Sequence, residues 1–257
     1  MSVRLDIDGH VARVTIDRPD VLNALDAATT AALEEIWQRL EGDRGVRAIV
    51  LTGAGERGFC AGADMRGSGK TGLAYWAESH PTGFGGLSLR TTLDIPVIAR
   101  VNGHALGGGF EMMLGCDIVV AVDSATFGLP EPRVGRLPLD GGMVLLQRQI
   151  GYRAAMGMLL TGRRITAAQA LAFGIINEVV PRDGLDMAVT RWLDDIVACA
   201  PLSLRAIKQS VRRTTHLAAQ EAQAMRLPAT IECLSSEDGD EGVRAFREKR
   251  TPAWQGR

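Results

Sequence analysis

The sequence predicts an α/β protein with mostly parallel strand pairing and a helical C-terminal region. Three observations carry this. Apolar strand-like runs are followed at once by glycine loops and short helical stretches, and the pattern recurs along the first half. From about residue 141 the periodicity becomes helical. Glycine makes up 30 of 257 residues, well above the average of roughly 7%. It is clustered, at Gly53, Gly55, Gly58 and Gly62, at Gly103, Gly107, Gly108 and Gly109, and at Gly141 and Gly142.

The elements follow in order. Val3 to Ile7 and Val11 to Ile16 alternate apolar with polar residues around Asp8-Gly9-His10, which predicts strand, tight turn, strand. Arg18-Pro19-Asp20 breaks the pattern. Asp26 then opens a helix with Leu33, Ile36, Trp37 and Leu40 on one face, and Gly42 ends it. Val46 to Thr52 reads as a buried strand running into the first glycine loop. Residues 66 to 86, rich in Gly, Ser and Thr, are expected to form a mobile surface segment with a helix near Leu73 to Ser79. Ile95 to Ala99 is a strand, Gly103 to Gly109 the second glycine loop, Phe110 to Leu114 a short helix and Asp117 to Val122 a third buried strand. Further on, Thr166 and Gln169 form a capping box before a helix that Gly174 stops. Leu185 to Ala198 is amphipathic, and Pro201 opens a helix towards Val211. A core over residues 1–190 and a helical region over 191–257 are expected, with no linker between them.

Composition excludes several classes. There are 29 basic and 30 acidic residues, with 46% hydrophobic and 23% charged. This is an ordinary globular balance with no broad electrostatic footprint for nucleic acid. Apolar runs such as Ile118 to Val122 fall far below the roughly 18 residues of a membrane helix. The start shows no secretory signal. Cys60, Cys116, Cys199 and Cys233 are scattered without a Cys-x-x-Cys pair. They read as reduced thiols of a cytoplasmic protein, and no metal site is expected.

Three constellations can carry chemistry. The first is Gly58 to Met65, a strand followed by small residues that leave backbone N–H groups accessible. The second is Asn102 to Glu111, where a glycine run opens a helix. Free N–H groups and the positive end of the helix dipole meet there, a setting that stabilises a developing oxyanion. No Gly-x-Gly-x-x-Gly follows an early strand, which argues against a dinucleotide fold. The third is a carboxylate pair. Glu111 lies in an apolar stretch, and Glu131 lies between Pro130 and Pro132. Singly, Glu111 can be a helix N-terminal charge and Glu131 a solvated loop residue. Together they offer general acid–base chemistry beside a candidate oxyanion hole.

In order along the chain stand Asp17-Arg18-Pro19-x-x-Leu22-Asn23-Ala24-Leu25, Phe59 to Asp64, Asn102 to Glu111 and Phe127-Gly128-Leu129-Pro130-Glu131. Leu160-Thr161-Gly162-Arg163 and Phe246-Arg247-Glu248-Lys249-Arg250 follow. This ensemble resembles the crotonase (enoyl-CoA hydratase/isomerase) superfamily over essentially the whole chain. Gly83 to Leu87, Leu139 to Gly142 and the end from Lys249 look closest to its carnitinyl-CoA dehydratase branch. Hydratases of the fatty-acid type usually carry Gly-Ala-Gly-Gly-Thr where this chain has Leu139-Asp140-Gly141-Gly142-Met143.

The resemblance implies a spiral of β-β-α units and a helical C-terminal part that assembles homotrimers, commonly paired into hexamers. It implies reversible hydration of a 2-enoyl-CoA, with coenzyme A as part of the substrate and no other cofactor. N–H groups of Ala63 and Gly108 would form the oxyanion hole, and Glu111 and Glu131 would be the acid–base pair. Ala61, Gly62, Asp64 and Arg66 would line the CoA-ester site, with Phe246 and Lys249 reaching a neighbouring subunit's CoA. A Δ3-Δ2 enoyl-CoA isomerase needs one main carboxylate, so the second glutamate argues against it. A non-catalytic binding protein of the superfamily is disfavoured by the complete pair.

Overall fold

In the computed structural model, which describes residues 2–66 and 72–257, the strands build two sheets. The first hairpin pairs β1 (Val3–Asp8) with β2 (Val11–Ile16), antiparallel about the Gly9 turn. Helix α1 (Ala27–Glu41) is opened by Asp26, whose carboxylate accepts from Thr29 N at 2.8 Å, a cap that contributes about 1 kcal/mol. Its buried face is Thr29, Leu33, Trp37 and Leu40.

Three turns of a spiral follow, and each gives one strand to either sheet. The first supplies β3 (Ala48–Gly53) and β4 (Gly58–Cys60), followed by the short α2 (Leu73–Trp76). The second supplies β5 (Val97–Val101), β6 (His104–Leu106) and α3 (Gly108–Leu114). The third supplies β7 (Ile118–Val122), β8 (Thr126–Gly128) and a 3-10 turn at Glu131–Val134. The larger sheet runs β1-β2-β3-β5-β7 and ends on β10 (Glu178–Val180), all parallel from β2 onward. Its middle strands are buried on both faces, which accounts for their continuous apolar runs. The smaller sheet runs β4-β6-β8 in parallel, closed by β9 (Ile165–Thr166) antiparallel to β8.

Helices α4 (Gly142–Gln149), α5 (Tyr152–Thr161) and α6 (Ala167–Ala172) link the third turn to β10. Thr166 and Gln169 form the expected capping box of α6. Helix α7 (Leu185–Val197) packs on β3, β5, β7 and β10. A division drawn at residues 190/191 therefore falls inside a helix that belongs to the sheet. Helix α8 (Pro201–Thr214) is pinned to the core by Lys208, which is 7% exposed. Its ammonium donates to Ile95 O at 2.5 Å and pairs with Asp117 at 2.6 Å. Helices α9 (Ala219–Ala224), α10 (Pro228–Leu234) and α11 (Glu237–Glu248) complete the chain, with α10 packed on α8 and α11 on α10.

The expectation of a surface segment over residues 66 to 86 needs correction at its end; its residues 67–71 lie outside the described part. Gly85 and Gly86 are buried, and Trp37 Nε1 donates to Gly85 O at 2.8 Å. Both glycines have positive φ, and a Cβ at Gly85 would meet Met112 Sδ at 2.5 Å. These glycines serve close approach to α1 and α3 rather than surface freedom.

Candidate active site

The stacking of the spiral assembles the site. In the smaller sheet Cys60 pairs with Ala105, and Leu106 pairs with Gly128. The segments that leave β4, β6 and β8 at the same end are thus neighbours: Ala61 to Asp64, Gly107 to Glu111, and Leu129 to Glu131. Gly107 N donates to Gly128 O at 2.9 Å. An ideal Cβ at Gly62 would lie 3.1 Å from Gly108 N, and one at Gly107 would lie 3.0 Å from Glu131 Oε1. Gly62 and Gly107 also have positive φ, so these crossings require glycine twice over.

Ala63 and Gly108 each present an N–H that donates to no described residue. Ala63 pairs with Leu25 in an isolated parallel bridge, but the flanking groups make its bonds: Leu25 N to Gly62 O and Asp64 N to Leu25 O, both 2.8 Å. The Ala63 N–H is directed to the other side. Gly108 opens α3, where a first-turn N–H has no acceptor in its own helix. Its side-chain position faces Phe84, whose Cε2 would lie 2.3 Å from a Cβ.

Three carboxylates meet beside these donors. Glu111 is 3% exposed and its Oε1 accepts from Gly142 N at 2.8 Å and Asp140 N at 3.0 Å. Burial pushes its carboxyl up to about 8, opposed by the Gly142 and Asp140 N–H groups and reinforced by the charges of Asp140 and Glu131. Glu131 is also raised by burial, and its Oε2 is occluded without a partner among the described residues. Asp140 is raised by burial too, against a 2.7 Å hydrogen bond from Tyr75 Oη and the neighbouring His80. A cavity of about 170 Å³ abuts Asp140, walled by Tyr75, Trp76, Glu78, His80 and Leu139. The Tyr75 and His80 rings stack at 4.1 Å. Two carboxylates with unfilled acceptor positions, beside two free N–H groups, that of Gly108 at a helix start, can hold a water and stabilise an oxyanion.

The enoyl-CoA hydratase/isomerase family model matches residues 6–257. The chain belongs to that family. It is 39% identical to a carnitinyl-CoA dehydratase of Proteus mirabilis, over 100% of this chain and 99% of that one. Its structure superimposes on an enoyl-CoA hydratase of Bacillus anthracis at TM-score 0.93 with 31% identity, covering 100% of both chains. An enoyl-CoA hydratase of Mycobacterium tuberculosis matches at TM-score 0.88 and 30% identity, over 100% of this chain and 99% of that one. The spiral expected from the sequence resemblance is the fold observed.

Within this family member, the loop residues named from sequence come together and the tail residues do not. Ala61, Gly62, Ala63, Gly108, Glu111 and Glu131 share the convergent end of the smaller sheet. Asp64 is 9% exposed at its side chain and lies between two arginines: Arg66 grips both oxygens at 3.0 and 2.9 Å, and Arg18 reaches one at 3.0 Å. The Arg66 contacts, with Arg18 second, hold the Asp64 carboxyl well below its ordinary range. Arg66 itself is 69% exposed. Phe246 lies on α11, 86% exposed, and Lys249 caps that helix in the left-handed region. Sequence reasoning missed the contact of Asp140 with Glu111, and it missed Tyr75 altogether. The signal available for Asp140 was its departure from the Gly-Ala-Gly-Gly pattern; Tyr75 carried none.

Proposed function

We propose that the protein catalyses reversible hydration of a 2-enoyl-CoA, which in reverse is dehydration of a 3-hydroxyacyl-CoA. The thioester oxygen is held by the N–H groups of Ala63 and Gly108, and negative charge gathering there as the enolate forms is stabilised. Removing one such donor typically costs about 3 kcal/mol of barrier. Glu111 and Glu131 hold one water over C3. Glu111 takes the water's proton as its oxygen bonds to C3, and Glu131 delivers a proton to C2. One carboxyl of the pair is protonated, because two buried neighbours do not both ionise readily. The observation that carries this reading is the convergence of both glutamates with the two free N–H groups on adjacent turns of the spiral. Residues 61, 62, 64 and 66 lie where the CoA portion would pass. Exposed Phe246 and Lys249 suit contact with CoA on a neighbouring subunit, which makes a homotrimer or hexamer the proposed assembly.

A second reading narrows the acyl group. A carnitinyl group ends in a trimethylammonium, and the cavity at Asp140 offers the Tyr75 and Trp76 rings with the Glu78 and Asp140 carboxylates. Aromatic and acidic walls favour a compact cation. This supports a carnitinyl-CoA dehydratase-like activity as the alternative to a neutral acyl chain.

One assay tests both. The 2-enoyl thioester absorbance is followed with crotonyl-CoA and with carnitinyl- and crotonobetainyl-CoA. Turnover of crotonyl-CoA alone supports the hydratase reading, and turnover restricted to the cationic pair supports the second. No change with any of them, in a folded protein that binds CoA esters, contradicts both.

A further inference from the structure

Asp140 stands out among the buried polar groups because neither fatty-acid hydratase pattern nor core packing requires it. It is 8% exposed. Glu111, Glu131 and Asp140 share one corner, and none of them has an arginine or lysine partner among the described residues. A buried carboxylate that served only structure would ordinarily be paired with a cation. Here three are placed together, which is costly for any that is ionised.

Every part of Asp140 is committed. Its N–H donates to Glu111 Oε1 at 3.0 Å. Its carbonyl accepts from Ser88 Oγ, and Ser88 Oγ in turn accepts from Phe84 N at 2.8 Å. Its carboxylate accepts from Tyr75 Oη at 2.7 Å. One residue therefore joins the first glutamate, the turn whose Phe84 ring covers Gly108, and the α2 segment. Oε1 of Glu111 is fixed by two N–H groups, while its Oε2 accepts from no described residue.

We propose that Asp140, clamped by Tyr75, is a positioning residue that sets both the aim and the proton affinity of Glu111. The backbone N–H provides the aim. The carboxylate provides a fixed negative charge that favours protonated Glu111. The Tyr75 hydroxyl keeps that charge in place. The ionisable groups facing this corner are Glu111 on α3, Glu131 on the 3-10 turn, Asp140 itself, and Tyr75, Glu78 and His80 from the α2 side. Of these, Asp140 and Glu131 are the two whose charge raises Glu111. In hydration Glu111 must be deprotonated to accept the water's proton; in dehydration it must be protonated to release water. Asp140 thereby sets how much of the enzyme holds Glu111 in each protonation state at neutral pH, for both directions of the reaction alike.

This rests on the acid–base role given to Glu111, and the test separates the two. Crotonyl-CoA, whose acyl group is neutral, is used as substrate so that cation recognition plays no part. Glu111→Gln is measured first. Then kcat/KM for hydration is recorded against pH for the native enzyme and for Asp140→Asn, which keeps the shape, the N–H and an acceptor for Tyr75 while removing the charge. The acidic limb, where Glu111 gains its proton, is expected to move about half a pH unit or more to lower pH. Tyr75→Phe removes one oxygen and leaves Asp140 less firmly ionised, so its limb moves the same way; it serves if Asp140→Asn does not fold. An inactive Glu111→Gln with an unmoved limb in a folded Asp140→Asn or Tyr75→Phe enzyme overturns the role of Asp140 alone. Normal hydration by Glu111→Gln overturns the reading beneath it.

Discussion

Glu111 is a residue whose usefulness conflicts with the stability of its surroundings. Its carboxyl is raised from 4.5 to about 8 in the folded chain by burial. The folded state keeps the proton up to about pH 8, while the unfolded chain releases it near the ordinary value. Folding takes up a proton between those limits, so the stability linked to Glu111 is full below about pH 4.5 and is lost as pH rises towards 8. Glutamine carries no such term. Glu111→Gln is expected to raise Tm little at pH 5 and by about 4 °C or more near pH 8, read by thermal unfolding at both values. A Tm difference that does not change with pH would remove the burial argument. The residue was legible in the sequence as a carboxylate in an apolar stretch after glycines. Its contact with Asp140 was not, because the two lie 29 positions apart and the partner Tyr75 lies 65 positions from Asp140. The oxyanion role proposed for Gly108 cannot be probed by enlarging its side chain, since a Cβ there strikes Phe84.

At the scale of elements, the long buried strands and amphipathic helices could be read from periodicity. β3, β5 and β7 are continuous apolar runs, and α1 shows its buried stripe in the spacing of Leu33, Trp37 and Leu40. The strands of the smaller sheet could not. β4, β6 and β8 have three residues each, too few for a period to show. Their presence is encoded in the glycines that let α3 approach them. Gly109 is the clearest case: a Cβ there would lie 2.1 Å from Cys60 O, a backbone atom that cannot turn aside. Gly109→Ala is therefore expected to destabilise the fold by about 2 kcal/mol or more, despite alanine's better helix propensity. Denaturant unfolding measures it, and an unchanged midpoint would show that α3 can slide away from β4 at no cost.

For the whole molecule, one repeating geometry produces the site. Each spiral turn sends a strand into the smaller sheet and leaves a segment at the same end, so three segments far apart in sequence meet: residues 61–64, 107–111 and 129–131. The glycine clusters and the two glutamates announced this in the sequence, but only the parallel pairing of β4, β6 and β8 explains why they coincide. The helical tail stays outside that meeting point within one chain, with Phe246 and Lys249 turned to the surface. The third segment is proposed to add a working carboxylate, making this a two-glutamate site for water chemistry. Glu131→Gln, compared with native protein for kcat of crotonyl-CoA hydration and for CoA-ester affinity, tests it most directly. kcat is expected to fall by at least ~100-fold with affinity little changed. A folded Glu131→Gln enzyme that hydrates crotonyl-CoA at the native rate would contradict it.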